Sequence, residues 1–358
     1  MKCDIIGHMD KRCLRIIFVR LTAVFAAAVI SLALFSCKDK PSAPVSEELP
    51  SAAEICAAYN DNVVEISCGN TYGTGIVLVN DGESVVIATC YHVTGYDAGA
   101  VEFRFAGSDE FIGGAETIGY DVQFDVAFFR LAVKSRAKDL LNSSAGFAGL
   151  KFVLPETGDS VVVMGNADGR GIAAFDGIVS VLEEIELAEG YYKPLTRVTA
   201  DMNPGCSGAL AAGADGRVIG MGVGRRKSTA DGSALSGMSY VLPSGIIAAL
   251  LNKALDNPAN SAITRPDFSF KRDEITENNV TEKRITVAFD YGGRSASFIW
   301  TPGQLTLLSA SGVAAENGSV YTSINGVQIA ETVSDTAAAV IAMDVGELRF
   351  GGDTSLIL

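Results

Sequence analysis

Between residues 56 and 255 the chain is written as short apolar runs broken by glycine, asparagine and aspartate, and that punctuation limits it to strands joined by tight turns. Residues 63–67, 75–79 and 84–89 are such runs, with Asn80-Asp81-Gly82 between the second and third. Residues 101–105 alternate, and residues 125–133, 160–164, 177–182, 195–199 and 218–223 continue the pattern. Apolar residues take up helical spacing only in residues 244–255, SGIIAALLNKAL. The expected fold is all-β, one domain over residues 56–255 closed by a single C-terminal helix. Residues 256–283 are polar and charged and read as a linker. Residues 284–358 are strand-rich again, with Gly292-Gly293 placed as a hairpin turn, and read as a separate small β-rich domain.

The N-terminus has another character. Basic residues (Lys2, Lys11, Arg12, Arg15, Arg20) precede the apolar run LTAVFAAAVISLALF at residues 21–35, and Ser36-Cys37 follow. A basic head, a short apolar run and a small residue before the cut describe a secretory signal. The run is shorter than the roughly 20 residues of a membrane-spanning helix. Leu34-Phe35-Ser36-Cys37 resembles the bacterial lipobox, which implies that Cys37 is lipidated and heads the mature chain. An uncleaved signal anchor is the other reading. Residues 1–37 are thus expected as a lipoprotein signal peptide and residues 38–55 as a flexible tether. The protein is expected to cross the inner membrane and stay lipid-anchored in the cell envelope, in an oxidising compartment.

Charge and histidine count exclude whole classes of function. The formal net charge is −14, which repels phosphate backbones, so nucleic acid is not expected as a partner. The chain has two histidines, His8 and His92, and His8 lies in the segment expected to be removed. One remaining histidine gives no basis for a multi-histidine metal site, and neither metal nor other cofactor is expected.

Three local patterns carry chemistry. Thr89-Cys90-Tyr91-His92-Val93 ends a strand, Asp125-Val126-Ala127 opens one, and Asn203-Pro204-Gly205-Cys206-Ser207-Gly208 is a tight turn. A serine hydroxyl is a weak nucleophile and needs a neighbouring base. Histidine suits the task because it titrates near neutrality. A buried carboxylate holds the imidazole in the required tautomer. Asp121 is an alternative to Asp125, but Asp125 directly precedes the apolar strand. Glycine before the serine lets two backbone N–H groups, those of Gly205 and Ser207, converge on one point where an oxyanion can sit.

These patterns make the chain resemble the trypsin-like superfamily, and within it the HtrA/Deg branch. The motifs are Gly73-Thr74-Gly75, Thr89 with His92-Val93, Asp125 before its strand, Gly158-Asp159 with Val161, Gly165-Asn166, Gly177-Ile178-Val179-Ser180, the turn ending Ser207-Gly208, and Pro243-Ser244 before the last helix. The resemblance implies a chymotrypsin-like double β-barrel with His92, Asp125 and Ser207 as catalytic triad. It also implies protein or peptide substrates, and self-assembly into an oligomer is open. The expected function is a serine endopeptidase of the cell envelope working through an acyl-enzyme. The competing reading is a catalytically weak or inactive protease-like fold serving as a binding or scaffold lipoprotein.

Departures from the family pattern raise further expectations. Cys90 and Cys206 both stand where the family usually has asparagine, in motifs that must meet if His92 and Ser207 do. The resemblance therefore makes a Cys90–Cys206 disulfide a candidate, with two free buried thiols as the alternative and Cys56–Cys68 as the remaining pair. Ala209 replaces a glycine, which strains the turn if that position needs positive φ. Asp201 lies six residues before Ser207, where trypsin has the carboxylate at the base of its specificity pocket. It is a candidate for selecting Lys or Arg, with a structural role as the alternative. The run from Ser319 to Ile329 is similar to part of a PDZ domain, a module that binds peptide ends by strand addition.

Overall fold

The computed structural model describes residues 49–95, 98–133, 155–229, 231–277 and 280–358. The expected signal peptide, Cys37 and most of the tether lie outside the described residues. A helix, α1 (Ala52–Tyr59), opens the described chain, started by a reciprocal cap between Ser51 and Glu54.

Six antiparallel strands then form a first sheet: β1 (Val63–Cys68), β2 (Thr71–Asn80), β3 (Ser84–Thr89), β4 (Val101–Arg104), β5 (Glu116–Asp121) and β6 (Val126–Ala132). Their spatial order is β4-β1-β2-β3-β6-β5. A one-turn helix, α2 (Tyr91–Thr94), follows β3. A second set closes on itself as a barrel: β7 (Ser160–Gly165), β8 (Ala173–Ala188), β9 (Tyr191–Val198), β10 (Leu210–Gly213), β11 (Val218–Arg225) and β12 (Ser239–Pro243). The architecture is mostly β, an open six-stranded sheet and a closed six-stranded barrel with an added β-rich unit. Strand β7 shows why continuous apolar runs suit it. Val161 and Val163 face the barrel interior with Val179, Val198, Ile219 and Val241, while Val162 and Met164 join the larger core outside. Helix α3 (Ser244–Asp256) buries Ile246, Ile247, Leu250 and Leu251, as its spacing predicts.

The stretch expected as a linker is not one. After a short return segment, Asp267–Glu277 forms β13 and pairs along its length with β14 (Val280–Tyr291). Phe268 and Phe270 alternate with Ser269 and Lys271, the period of a half-buried strand, and the charged residues beyond masked that signal. The C-terminal unit therefore begins near residue 267. It continues through β15 (Arg294–Thr301), β16 (Gln304–Ser311), β17 (Val320–Ile324), β18 (Val327–Gln328), helix α4 (Val333–Ala342), β19 (Arg349–Gly352) and β20 (Ser355–Ile357). Gly292 and Gly293, both at positive φ, make the expected hairpin turn. The PDZ-like run forms the β17–β18 hairpin about Asn325-Gly326, and α4 packs on α3 and β9.

This unit has an aromatic core of its own and a polar tie to the barrel. Phe289, Phe298, Tyr321 and Phe350 interlock, with the Phe298 and Phe350 rings 4.8 Å apart. From β8, Glu183 accepts the backbone N–H groups of Val333 (2.8 Å) and Ser334 (2.5 Å), capping α4 where its unpaired donors need an acceptor.

Candidate active site

The first sheet, its α2 turn and the barrel bring the three motifs together. His92 sits on α2, entered from Cys90 in extended conformation. Asp125 closes the four-residue turn between β5 and β6 at φ +58, a conformation aspartate tolerates better than most residues. Ser207 lies in a turn flanked by Gly205 (φ +93) and Gly208 (φ +90). The His92 Nε2 atom is 2.9 Å from Ser207 Oγ, and Nδ1 is 2.7 Å from Asp125 Oδ2. Asp125 is buried, and its Oδ1 also accepts the His92 backbone N–H at 2.9 Å. Its backbone oxygen accepts from Tyr91 N–H at 3.1 Å.

Asp125 thus holds α2 and the imidazole at once, which fixes Nδ1 as the protonated nitrogen and leaves Nε2 to accept from Ser207. Burial pushes the imidazole pKa down, but the hydrogen bond and charge of Asp125, aided by Glu189, outweigh it and raise the value above the ordinary 6.5. Such an arrangement takes a proton from the serine hydroxyl as the oxygen attacks an acyl carbon.

Thr74 is the residue that sequence reasoning missed. Its Oγ1 donates to Gly205 O at 2.7 Å and accepts from Asn166 N–H at 2.8 Å, and its backbone N–H donates to Ser207 O at 2.9 Å. Among the described residues, neither the Gly205 nor the Ser207 N–H donates to a protein acceptor. The only trace of Thr74 in the sequence is as the variable residue of Gly73-Thr74-Gly75.

Three expectations are corrected. Cys90 and Cys206 are free thiols, not a disulfide. The motifs do meet, but the side chains turn into different cores. Cys206 packs inside the barrel with Met202 and Ala209, whereas Cys90 packs with the first sheet and donates to Gly222 O at 3.4 Å. Both are buried, so a thiol reagent should react with them at a useful rate only on unfolding. Peptide mapping without reductant should recover each unbridged, and a Cys90–Cys206 peptide would contradict the structure. Asp201 does not form the floor of a pocket. Its side chain is 56% exposed and pairs with Arg225 Nη1 at 2.6 Å, so its charge is already met. The strain anticipated at Ala209 is absent too, because this residue is not among those at positive φ.

The donor atoms of Cys90, His92 and Asp125 lie within 4.8 Å of one another. They suit a cation poorly. Burial and the Asp125 charge hold the Cys90 thiol well above its usual pKa, so it presents a thiol and not the thiolate a metal requires. Lys193 is also buried nearby, and burial pushes its ammonium pKa down.

Residues 73–221 match the family described as "Trypsin-like peptidase domain". The "Serine protease Do-like HtrA" of Lactobacillus helveticus is 23% identical over 270 residues, 73% of this chain and 60% of that protein. A "Probable periplasmic serine endoprotease DegP-like" of Buchnera aphidicola is 25% identical over 184 residues, 51% of this chain and 36% of that protein. The chain therefore spans about 60% or less of the length of these curated relatives. A crystal structure of a Mycobacterium tuberculosis protein in an inactive form aligns with a TM-score of 0.45 and 23% identity, covering 61% of this chain and 96% of the other. Residues 73–221 thus match a trypsin-like peptidase domain, and the chain is similar to HtrA and DegP-like serine proteases.

Proposed function

We propose that the protein is a serine endopeptidase that cleaves protein substrates in the cell envelope, with Ser207 as nucleophile, His92 as general base and acid, and Asp125 as the carboxylate that orients it. The observation that carries this reading is the relay Ser207 Oγ to His92 Nε2 at 2.9 Å and His92 Nδ1 to buried Asp125 at 2.7 Å. Ser207 Oγ attacks the scissile carbonyl carbon while its proton passes to Nε2. The carbonyl oxygen becomes an oxyanion facing the N–H groups of Gly205 and Ser207, each such donor contributing about 3 kcal/mol to the transition state. His92 then gives its proton to the leaving amine, and the acyl group stays on Ser207. Water then attacks the acyl carbon as it gives a proton to Nε2, and the acyl–Oγ bond breaks as Nε2 returns that proton to Ser207 Oγ, which releases the acid.

Anchoring through Cys37 belongs to the same proposal, as does location in the envelope. The scaffold reading rests on the altered turn, and the alterations are accommodated without touching the relay: Cys206 is buried in the barrel and Ala209 is unstrained. Incubation with casein should yield fragments ending within the chain, suppressed by a serine-directed inhibitor. Intact casein after prolonged incubation with folded protein would refute the assignment.

The raised His92 pKa has a direction for rate and another for stability. Only neutral His92 acts as base, so kcat/KM should fall as pH drops through a value above 6.5. A limb at or below 6.5 would contradict this. The folded state holds the His92 proton more tightly than the unfolded chain. The stability it contributes is fully present below the unfolded pKa and lost as pH rises through the folded one.

A further inference from the structure

The turn that carries Asp125 is gripped from behind by the C-terminal part of the chain. After α3, the backbone returns along the edge strand β5. Ala259 N–H donates to Ile118 O (3.1 Å), Tyr120 N–H to Ser261 O (3.2 Å) and Ile263 N–H to Tyr120 O (2.8 Å). Gly119 permits this approach, since a Cβ there would stand 2.9 Å from Ile263 Cγ1. The segment delivers Arg265 to residues Asp121, Gln123 and Phe124. Its Nε donates to Asp121 Oδ2 at 2.6 Å, and Nη2 donates to Gln123 Oε1 at 2.8 Å and Asp121 Oδ1 at 3.3 Å. The guanidinium lies 5.2 Å from the Phe124 ring centroid and 5.1 Å from that of Phe268 at the start of β13. The Arg265 and Asp121 side chains are 10% and 5% exposed.

This is more than a surface ion pair. Asp121 Oδ1 also accepts the Phe124 N–H at 2.9 Å, so the same carboxylate shapes the turn and receives the arginine. Asp125 is the next residue, at positive φ, a conformation that persists only where its surroundings over-determine it. A planar guanidinium engaging two side chains and two rings supplies that constraint, which a point charge does not. Without it, a buried carboxylate loses its counter-charge four residues before Asp125, and the turn has every reason to rearrange.

We propose that Arg265 is a positioning residue for Asp125, and that the segment after α3, together with Phe268 of the C-terminal unit, holds the peptidase relay in register. This rests on the proposed function for its consequence in catalysis, but the geometry it asserts is independent of turnover. Besides Asp125, the charged groups bearing on His92 are Glu189 and Lys193, both from the β8–β9 hairpin.

The test compares full-length wild type, Arg265→Met, Arg265→Lys and, as a surface control, Arg217→Met, which removes an exposed pair with Asp215. Two readouts are taken: kcat and KM on a peptide substrate, and the His92 imidazole titration by NMR, assigned with His8→Gln. Arg265→Met should lose about tenfold to a hundredfold in kcat with KM unchanged. Its imidazole pKa should fall towards 6.5 as Asp125 loses its alignment. Arg265→Lys should lie between, and Arg217→Met should match wild type. If Arg265→Met does not fold, a smaller shift of the same sign in Arg265→Lys is required. A folded Arg265 variant whose His92 titrates as in wild type overturns the proposal, even if its rate falls. If wild type has no peptidase activity, the proposed function fails, and the His92 titration still decides the role of Arg265.

Discussion

Ser207→Ala and His92→Ala should each lower kcat on a peptide substrate by on the order of a millionfold while leaving the fold intact. The size follows from the relay acting as a unit: without the nucleophile no acyl-enzyme forms, and without the base the hydroxyl keeps its proton. Neither side chain is a packing element. Ser207 is half-buried and the His92 side chain is 30% exposed, and the backbone bonds of both residues to Thr74 and Asp125 survive the change. The double variant should be about as slow as either single one. Active-site titration of purified proteins would exclude wild-type contamination, and turnover within about tenfold of wild type in either variant would sink the mechanism.

The second large effect is on stability. Gly208→Ala should cost about 3 kcal/mol or more, because it adds a methyl group where none fits and leaves a residue with Cβ at φ +90. That Cβ would stand 1.9 Å from Thr74 O and 2.7 Å from Thr89 Oγ1. Both are rigid, since Thr89 Oγ1 donates to the same oxygen at 2.6 Å. The Gly208 N–H also donates to Gly222 O at 2.7 Å, so the turn cannot retreat without losing that bond. Urea unfolding should show a lower midpoint at unchanged slope. Gly224→Ala is the matched control, with nothing near its Cβ and an ordinary φ, and should be close to neutral. Equal midpoints for the two variants would contradict this account of the turn.

What could be read in advance divides along a physical line. His92, Asp125 and Ser207 could be picked out because each sits in a local motif beside a strand or in a turn, and the structure brings the three side chains within hydrogen-bonding distance of one another in series. The barrel strands were visible as local patterns too. The linker reading failed where Lys271, Arg272, Asp273 and Glu274 made a paired strand look like solvent-exposed coil. The cysteine bridge failed because two motifs can meet while their neighbouring side chains point into different cores, and chain order does not encode that direction. Asp201 failed likewise: spacing from Ser207 placed a charge, but Arg225, 24 residues on, decides whether that charge is free. Thr74 and Arg265 act across 131 and 144 residues, through contacts for which the sequence has no local pattern.

The most direct test of the central claim is to treat the folded protein with a fluorophosphonate and map the adduct by mass spectrometry. Such a probe reacts with a serine only where a base removes its proton and donors receive the developing oxyanion. The account predicts one adduct, on Ser207, formed by wild type and abolished in His92→Ala. An unlabelled but folded wild-type protein, or labelling of Ser207 that persists undiminished without His92, would contradict it.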